Sequence, residues 1–429
     1  MPGLRLDRRR VGTETQRRNA SRMDKTSMHR YFAMTAAVLG VASAAGWAQA
    51  PAHYVGSNAC KVCHAAIYAR WQRTPMANVV RDPRQHPEAV VADFSKPNSL
   101  VKFTIDDVAL VYGSIWKQRY FKKVGDLYYA LPAQWDVKTG QWLPYHVDKG
   151  EDWWAALYPP GNMQRPTGPL CDGCHSVNYD IATHTVTEWN VGCERCHGPG
   201  SEHVKHPAQY LSNIINPARL GAVAANDVCL QCHTQGRPPK NPIAGVYYDW
   251  PVGYQVGRRL QDYWRLETPV LGKTDFYYFA DGTARKNRMQ GNDFVQSLMY
   301  RHGVTCFSCH DVHGTANPAE LIKPVDSNAM CLECHAPGSP NGPYEASVEA
   351  HTHHAAGSAG DECISCHMPQ VQKEGVPGAF VHVHTFRFIT PAMTERYGIP
   401  NACGSCHAQQ GAAWASRWLA QWFSPWRME

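Results

Sequence analysis

The chain has 429 residues, enough for one large domain or two ordinary ones. Its formal charge of +6 resides in the first fifty residues, where nine Arg/Lys stand against three Asp/Glu. The remainder is near neutral, which argues against a nucleic-acid partner. Sixteen cysteines point to disulfides, zinc or a covalently attached group.

Residues 1–22 are basic and polar, without an apolar pattern. From Met23 or Met28 a short basic stretch with Lys25 and Arg30 leads into an apolar run from Tyr31 to Ala45, then into Ala48-Gln49-Ala50. This is the layout of a secretory signal peptide, too short to span a bilayer comfortably. An internal Met is therefore the better start. No twin-arginine pattern precedes the run, so the general secretory route is expected. Residues 1–50 are read as leader and 51–429 as the mature domain, periplasmic or at the cell surface. No other apolar stretch reaches spanning length, so no transmembrane segment is expected after cleavage.

Eight C-x-x-C-H units follow, and they use every cysteine: Cys60/Cys63/His64, Cys171/Cys174/His175, Cys193/Cys196/His197, Cys229/Cys232/His233, Cys306/Cys309/His310, Cys331/Cys334/His335, Cys363/Cys366/His367 and Cys403/Cys406/His407. Two thiols separated by two residues lie on one turn and can each add across a haem vinyl group. The histidine that follows then reaches the iron as proximal ligand. One such unit could equally be a zinc or redox-thiol motif. Eight that leave no cysteine over, behind a secretion signal, point to eight c-type haems. Their propionates would make the holoprotein acidic.

The long interval 63–171 holds an insert, about 97–158, that reads as a small antiparallel sheet. Val101, Phe103 and Ile105 alternate with polar residues. Val108 to Tyr112, Trp116 to Phe121 and Leu127 to Leu131 are β-branched or aromatic runs, parted by Gly113 and Gly125-Asp126. Its many Trp and Tyr rings suit packing on porphyrin faces. A second insert, about 236–300, opens with a proline-rich loop and carries a turn signal at Asp281-Gly282. Elsewhere helices should be short. Ala412 to Phe423, within about 408–423, is the clearest of them, with Trp414, Trp418 and Trp422 on one stripe. That stripe suits core or subunit contact, and so a possible homo-oligomer. The fold class expected is a mostly irregular chain with short α-helices packed on haems, plus a small antiparallel β insert.

The sixth iron position needs further ligands. Of 22 histidines, eight are proximal and His29 lies in the leader, leaving thirteen. A chain built for bis-histidine ligation needs this surplus. The distal candidates are His203, His313, His354 (from the cluster His351/His353/His354), His384, His146 and His302. His313, three residues past a proximal histidine, cannot reach the far side of its own haem but can cap a neighbour. Met76, in Thr74-Pro75-Met76 past the first unit, is a further distal candidate, and a Met ligand would raise that potential. The alternative is a buried apolar Met.

The stretch Gly56-Ser57-x-x-Cys60-x-x-Cys63-His64 with Tyr68 and Trp71 resembles multihaem cytochromes related to the tetrahaem partner of hydroxylamine oxidoreductase. Gly192-Cys193-x-x-Cys196-His197-Gly198-Pro199-Gly200-Ser201-x-His203 is similar to the same group, where that last histidine is a distal ligand. Residues 303–335, with His313-Gly314 between two units, look like its doubled haem motif, and Cys363-x-x-Cys366-His367-Met368-Pro369 is also typical. At Met76 the relatives usually show a histidine. No C-x-x-C-K unit marks a catalytic haem.

The resemblance implies a multihaem cytochrome; the histidine surplus and the absence of a catalytic haem variant favour electron transfer along a chain of haems in anaerobic or nitrogen/sulfur respiration, with quinol-linked proteins or other cytochromes as redox partners. Two other functions stay open. One is an octahaem reductase or oxidase of nitrite, hydroxylamine or tetrathionate, needing an open haem. There Lys117 to Tyr120 or Arg285 to Arg288 could supply charge for an anion; pairing with propionates is the blander role for these cations. The other is a haem-wire filament subunit.

Overall fold

A computed structural model describes residues 51–145, 166–373 and 378–423. A five-stranded antiparallel sheet is the largest regular element. It comprises β1 (Val80–Arg81), β2 (Leu110–Tyr112), β3 (Lys117–Val124), β4 (Leu127–Asp136) and β5 (Gln141–Pro144), in that order. β3 and β4 are joined by a two-residue turn at Gly125-Asp126, with φ +58 at Gly125. A left-handed residue is what such a tight hairpin demands, and glycine meets it without strain.

The sheet has two apolar faces. Val108, Val111, Tyr120, Leu131, Ala133 and Trp142 bury one of them against Phe94 and Phe103. Val80, Leu110, Tyr112 and Phe121 line the other, against Cys171 and Trp189. Residues paired across antiparallel strands share a face. Arg119, paired with Tyr112, therefore projects on the face that covers the second C-x-x-C-H unit.

Val101 to Ile105 do not form the strand their alternation predicts. Val101 and Phe103 turn inward onto the first core. Thr104 instead starts a short turn, its N–H and hydroxyl donating to Asp107 Oδ2 at 2.7 and 3.1 Å. A side chain that satisfies the backbone locally competes with strand pairing. Part of the insert, 146–158, lies outside the described residues.

The second insert folds as loops with minimal pairing. Asp281 and Gly282 do make the expected turn: Thr283 N donates to Asp281 Oδ1 at 2.9 Å, and Tyr278 bridges Ala284. From this insert Trp250 lies against the second unit, so close that a Cβ on Gly173 would fall 1.9 Å from the indole. Trp250 also donates from Nε1 to Gly168 O at 2.9 Å. Both inserts thus cover the turn that begins at Cys171.

The other helices are short, and several carry the C-x-x-C-H units directly, as in Cys193–His197, Cys363–His367 and Ala402–Cys406. The late helix runs Gly411–Trp422. The fold class is the expected one: an irregular multihaem-cytochrome chain of short helices with small antiparallel sheets. Among the described residues no helix is long and apolar enough to cross a membrane.

Candidate haem sites

Each unit closes on itself by a hydrogen bond from the histidine N–H to the first cysteine carbonyl: 2.9 Å at His64, 3.1 Å at His175, 3.0 Å at His233, 3.0 Å at His310 and 2.8 Å at His407. The same turn lies inside helices at His197, His335 and His367. This one turn sets both thiols and the imidazole on a common side.

The cysteines are not enclosed alike. Cys174 is buried, whereas Cys334 of the sixth unit is exposed, as are Cys63 and Cys406 of the first and the eighth. Cys334 differs from Cys174 because of where its turn sits. It falls in the last turn of the helix Ala329–His335, which buries none of its residues, while both inserts fold over the second unit. Its neighbours Glu333 and His335 are exposed with it. A cofactor-bearing cysteine enclosed by protein, as at Cys174, is therefore not what the structure gives at Cys334. Thioether formation needs reach to a vinyl group and no burial, so the C-x-x-C-H geometry of that unit still suits attachment.

Four of these proximal rings face a second imidazole. His64 faces His203 at 6.3 Å between centroids and 19° between planes. His197 faces His313 at 6.2 Å and 19°. His367 faces His351 at 6.4 Å and 11°. His407 faces His354 at 6.3 Å and 39°. An imidazole nitrogen binds a first-row metal at about 2 Å, so two rings on opposite sides of one ion place their centroids roughly 6.3 Å apart. The observed spacings are those of an iron held between two histidines.

The Nδ1 atoms agree. His203 Nδ1 meets Asn213 Oδ1 at 3.2 Å, His313 meets Asp311 Oδ1 at 3.1 Å, and His351 meets Glu345 Oε2 at 3.1 Å. His354 Nδ1 bonds Thr352 O at 2.6 Å and His197 Nδ1 bonds Ile215 O at 2.7 Å. With Nδ1 engaged, Nε2 is the nitrogen left for a metal. The residues present fit haem c.

Of the other distal candidates, His384 is half-buried and lies in the field of His310, with Nδ1 2.9 Å from His382 O. His302 is exposed and caps the helix Leu298–Arg301. His146 lies outside the described residues. Met76 accepts Val191 N–H at 3.0 Å through its carbonyl, while the ring across from His64 is that of His203. The sequence places His351 in the cluster with His354 but prefers His354 as the ligand. His351 and His354 serve different partners because His353 between them is left-handed, at φ 56. His353 itself stacks on Trp422 at 4.6 Å and 11°.

The Trp stripe packs on these histidines. Trp414 lies 4.9 Å from His407, Trp418 6.2 Å from Trp414, and Trp422 5.7 Å from Trp418.

The units touch one another out of sequence order. The thiols of Cys60 and Cys193 lie beside one another, as do those of Cys229 and Cys306, and of Cys331 and Cys363. In each pair the contact lowers one free thiol and raises its partner, with Cys193 and Cys331 both brought to about 7. The second unit meets the fourth at its other end, Cys174 Sγ lying 3.8 Å from Gln231 O.

His175 stands apart. Its neighbouring ring is Tyr112, 5.6 Å away and tilted 66°. Burial, then the charges of Arg288, His233, Arg119 and Arg195, push its imidazole down to about 4. Arg288 Nη1 is 4.0 Å from Cys174 Sγ, while its Nη2 donates to Asp249 O at 2.8 Å. Arg119 lies 4.7 Å over the Tyr145 ring. The two cationic stretches noted in the sequence, 117–120 and 285–288, therefore converge on this one unit. Asp172 within it accepts from Tyr112 Oη at 2.6 Å and Thr167 Oγ1 at 2.7 Å, and burial raises its carboxyl to about 6.

A family model for the doubled CXXCH motif matches residues 300–339. The multiheme cytochrome MtrA of Shewanella baltica (strain OS185) is 25% identical over 220 residues, 48% of this chain and 62% of that protein. The dissimilatory sulfite reductase MccA of Wolinella succinogenes is 21% identical over 405 residues, 75% of this chain and 51% of that protein. The chain thus spans 62% and 51% of the lengths of these curated relatives. Among solved structures, the outer cell wall cytochrome OcwA superposes with a TM-score of 0.68 at 22% identity, covering 86% of both chains. Together with the paired motifs, these likenesses make the chain a multihaem c-type cytochrome that binds haem c.

Proposed function

We propose that this multihaem c-type cytochrome carries eight haems and passes electrons between redox proteins outside the cytoplasm. Bound haem supplies a one-electron iron couple whose potential the ligands and surroundings set. The carrying observation is the set of four imidazole pairs at 6.2–6.4 Å. An iron closed on both faces by histidine exchanges electrons and leaves no site for a substrate. All sixteen cysteines, the exposed Cys63, Cys334 and Cys406 included, are assigned to thioether attachment. His203, His313, His351 and His354 are the distal ligands we assign to the units of His64, His197, His367 and His407, so that His203 rather than Met76 caps the first. His384 is assigned to the unit of His310. His146 and His302 stay candidates for the remaining units. Export by the leader in residues 1–50, to the periplasm or cell surface, and donors or acceptors among quinol-linked proteins and other cytochromes belong to the same reading. So does kinship with the tetrahaem partner of hydroxylamine oxidoreductase.

The test is a haem count and an electron paramagnetic resonance spectrum of the purified ferric protein. Eight haems, mostly low-spin, and reversible electron uptake are expected. A haem content well below eight, or an uptake that requires a substrate, overturns the proposal.

A second reading, a reductase of small nitrogen or sulfur compounds, draws on the convergence of Arg119 and Arg288 at His175. Such cations would hold an oxyanion at an open iron. A high-spin signal that shifts on adding nitrite, hydroxylamine or sulfite would favour it. Propionate pairing is the competing role for the same arginines.

A further inference from the structure

The units make two kinds of contact. First with third, fourth with fifth, and sixth with seventh, each pair brings the leading cysteines together. In each, a polar residue three positions ahead of one unit accepts from the first cysteine N–H of the other. Ser57 Oγ is 2.9 Å from Cys193 N, Asn226 Oδ1 2.9 Å from Cys306 N, and Asn328 Oδ1 2.8 Å from Cys363 N. Third and fourth are linked by Gln231 Nε2 donating to Arg195 O at 3.3 Å. The second unit joins differently, by its trailing cysteine. Cys174 Sγ lies 3.8 Å from Gln231 O, and Cys232 Sγ lies 3.9 Å from Cys174 O. The line of contacts thus runs first, third, fourth, fifth, and the second unit hangs on the flank of the fourth.

The ligand of that side unit is also unlike those of the third, fifth and sixth. A carbonyl or side-chain acceptor on Nδ1–H makes an imidazole a stronger donor to its metal. His197 bonds Ile215 O at 2.7 Å and His310 bonds Ala319 O at 2.8 Å, while His335 is held by Asn341 O. His367 has the Phe386 backbone. His175 Nδ1 is buried and has no partner, alone in this among imidazole nitrogens of the described residues. The charged groups around it are arginines and the His233 imidazole, with the Asp172 carboxyl of the same unit bonded to Tyr112. Arg288 reaches Cys174 Sγ, and Arg119 stands on the strand position paired with Tyr112, whose ring touches His175. Arg195 Nε is buried without a partner on the adjoining third unit. A weaker donor and a positive surround both favour the reduced iron.

We infer that His175 gives the haem it holds the highest reduction potential in the chain, and that this haem is a spur on the fourth where electrons collect. The inference rests on the electron-transfer reading. Each transfer onto the spur oxidises one iron and reduces one, with no bond made or broken.

The experiment is a potentiometric titration of the holoprotein, followed by visible absorption and electron paramagnetic resonance, in the wild type, Arg288→Gln, Arg119→Gln and Arg84→Gln. The expected result is that the highest-potential wave moves downward in Arg288→Gln and in Arg119→Gln while the other waves stay. Arg84, exposed and paired with Asp82, should move none. Arg119 lies in the sheet and Arg288 in the second insert, so one variant remains informative where the other fails to fold. A highest wave that stays put in both variants, or displacement of a lower wave instead, overturns the inference. The carrier reading survives that outcome as long as electron uptake stays reversible. It falls separately where uptake needs a substrate.

Discussion

Ser57 Oγ accepts the N–H of Cys193 at 2.9 Å, across 136 residues of chain, while the same hydroxyl donates to Glu188 Oε1 at 2.5 Å. A cap that normally serves its own helix here serves the first turn of another haem unit. The arrangement recurs at Asn226 with Cys306 and at Asn328 with Cys363. Each pair of units is thereby locked at a fixed offset before any cofactor contact is considered.

Removing one such cap leaves an amide without an acceptor. Asn226 is fully buried, and it also donates to Val304 O at 3.1 Å. Asn226→Ala should cost about 1–3 kcal/mol, the usual effect of orphaning a buried donor. Denaturant unfolding of the holoprotein measures this, and Asn226→Ser should recover part of the loss.

The first unit offers a direct contrast between two candidate ligands. With His203 6.3 Å from His64, His203→Met should replace a bis-histidine signal and raise one midpoint potential, on the order of 100 mV given the span that axial ligands command. Met76→Leu should leave both spectrum and midpoints in place. The reverse pattern would put Met76 on the iron.

Much of this site is written locally and could be read from the chain alone. A C-x-x-C-H unit needs a single turn of backbone, so all eight were legible. How far protein covers each one was not, since Cys174 and Cys334 sit in the same motif and differ only in what folds over them. His203 and His313, each a few residues past a unit, were legible too. The sheet was legible where β-branched and aromatic residues run between glycines, as at Lys117–Val124. It was not legible at Val80–Arg81, a two-residue strand whose only signal is its partner. The choice among His351, His353 and His354 depended on one left-handed residue, His353, which no periodicity announces. The pairing of units across 35 to 136 residues was likewise invisible, because Ser and Asn three positions ahead of a cysteine look like ordinary helix caps.

The tryptophan stripe, read as core or subunit contact, packs within the chain on the His407 ring. Trp414 lies 4.9 Å from His407, so Trp414→Leu should expose the last haem unit to water. Wetter surroundings stabilise the more highly charged iron, and one midpoint should fall. The loss of ring contact should also reduce stability by about 1–3 kcal/mol. Redox titration together with thermal unfolding checks both. The partly exposed Trp418 should tolerate the same change with a smaller effect on potential.

The last expectation concerns pH and Asp172. Its carboxyl is buried between Tyr112 and Thr167 and titrates near about 6, against 3.8 for the ordinary group. Desolvation outweighs the two donors, so the fold binds this proton more tightly than the unfolded chain does. Native stability should therefore fall as pH rises from about 4 through about 6, and should level off above that. The span is at most about 3 kcal/mol for a shift of this size. His175, once its Nε2 is on iron, does not titrate in the same window and leaves the slope to Asp172. Asp172→Asn keeps an acceptor for one of the two hydroxyls, turns an N–H donor toward the other, and removes the titration. Denaturant unfolding from pH 4 to 7 should show the slope in the wild type and its loss in the variant. An unchanged slope in Asp172→Asn would assign it to another carboxyl, the buried Asp293 first among them, whose native value is also raised to about 6.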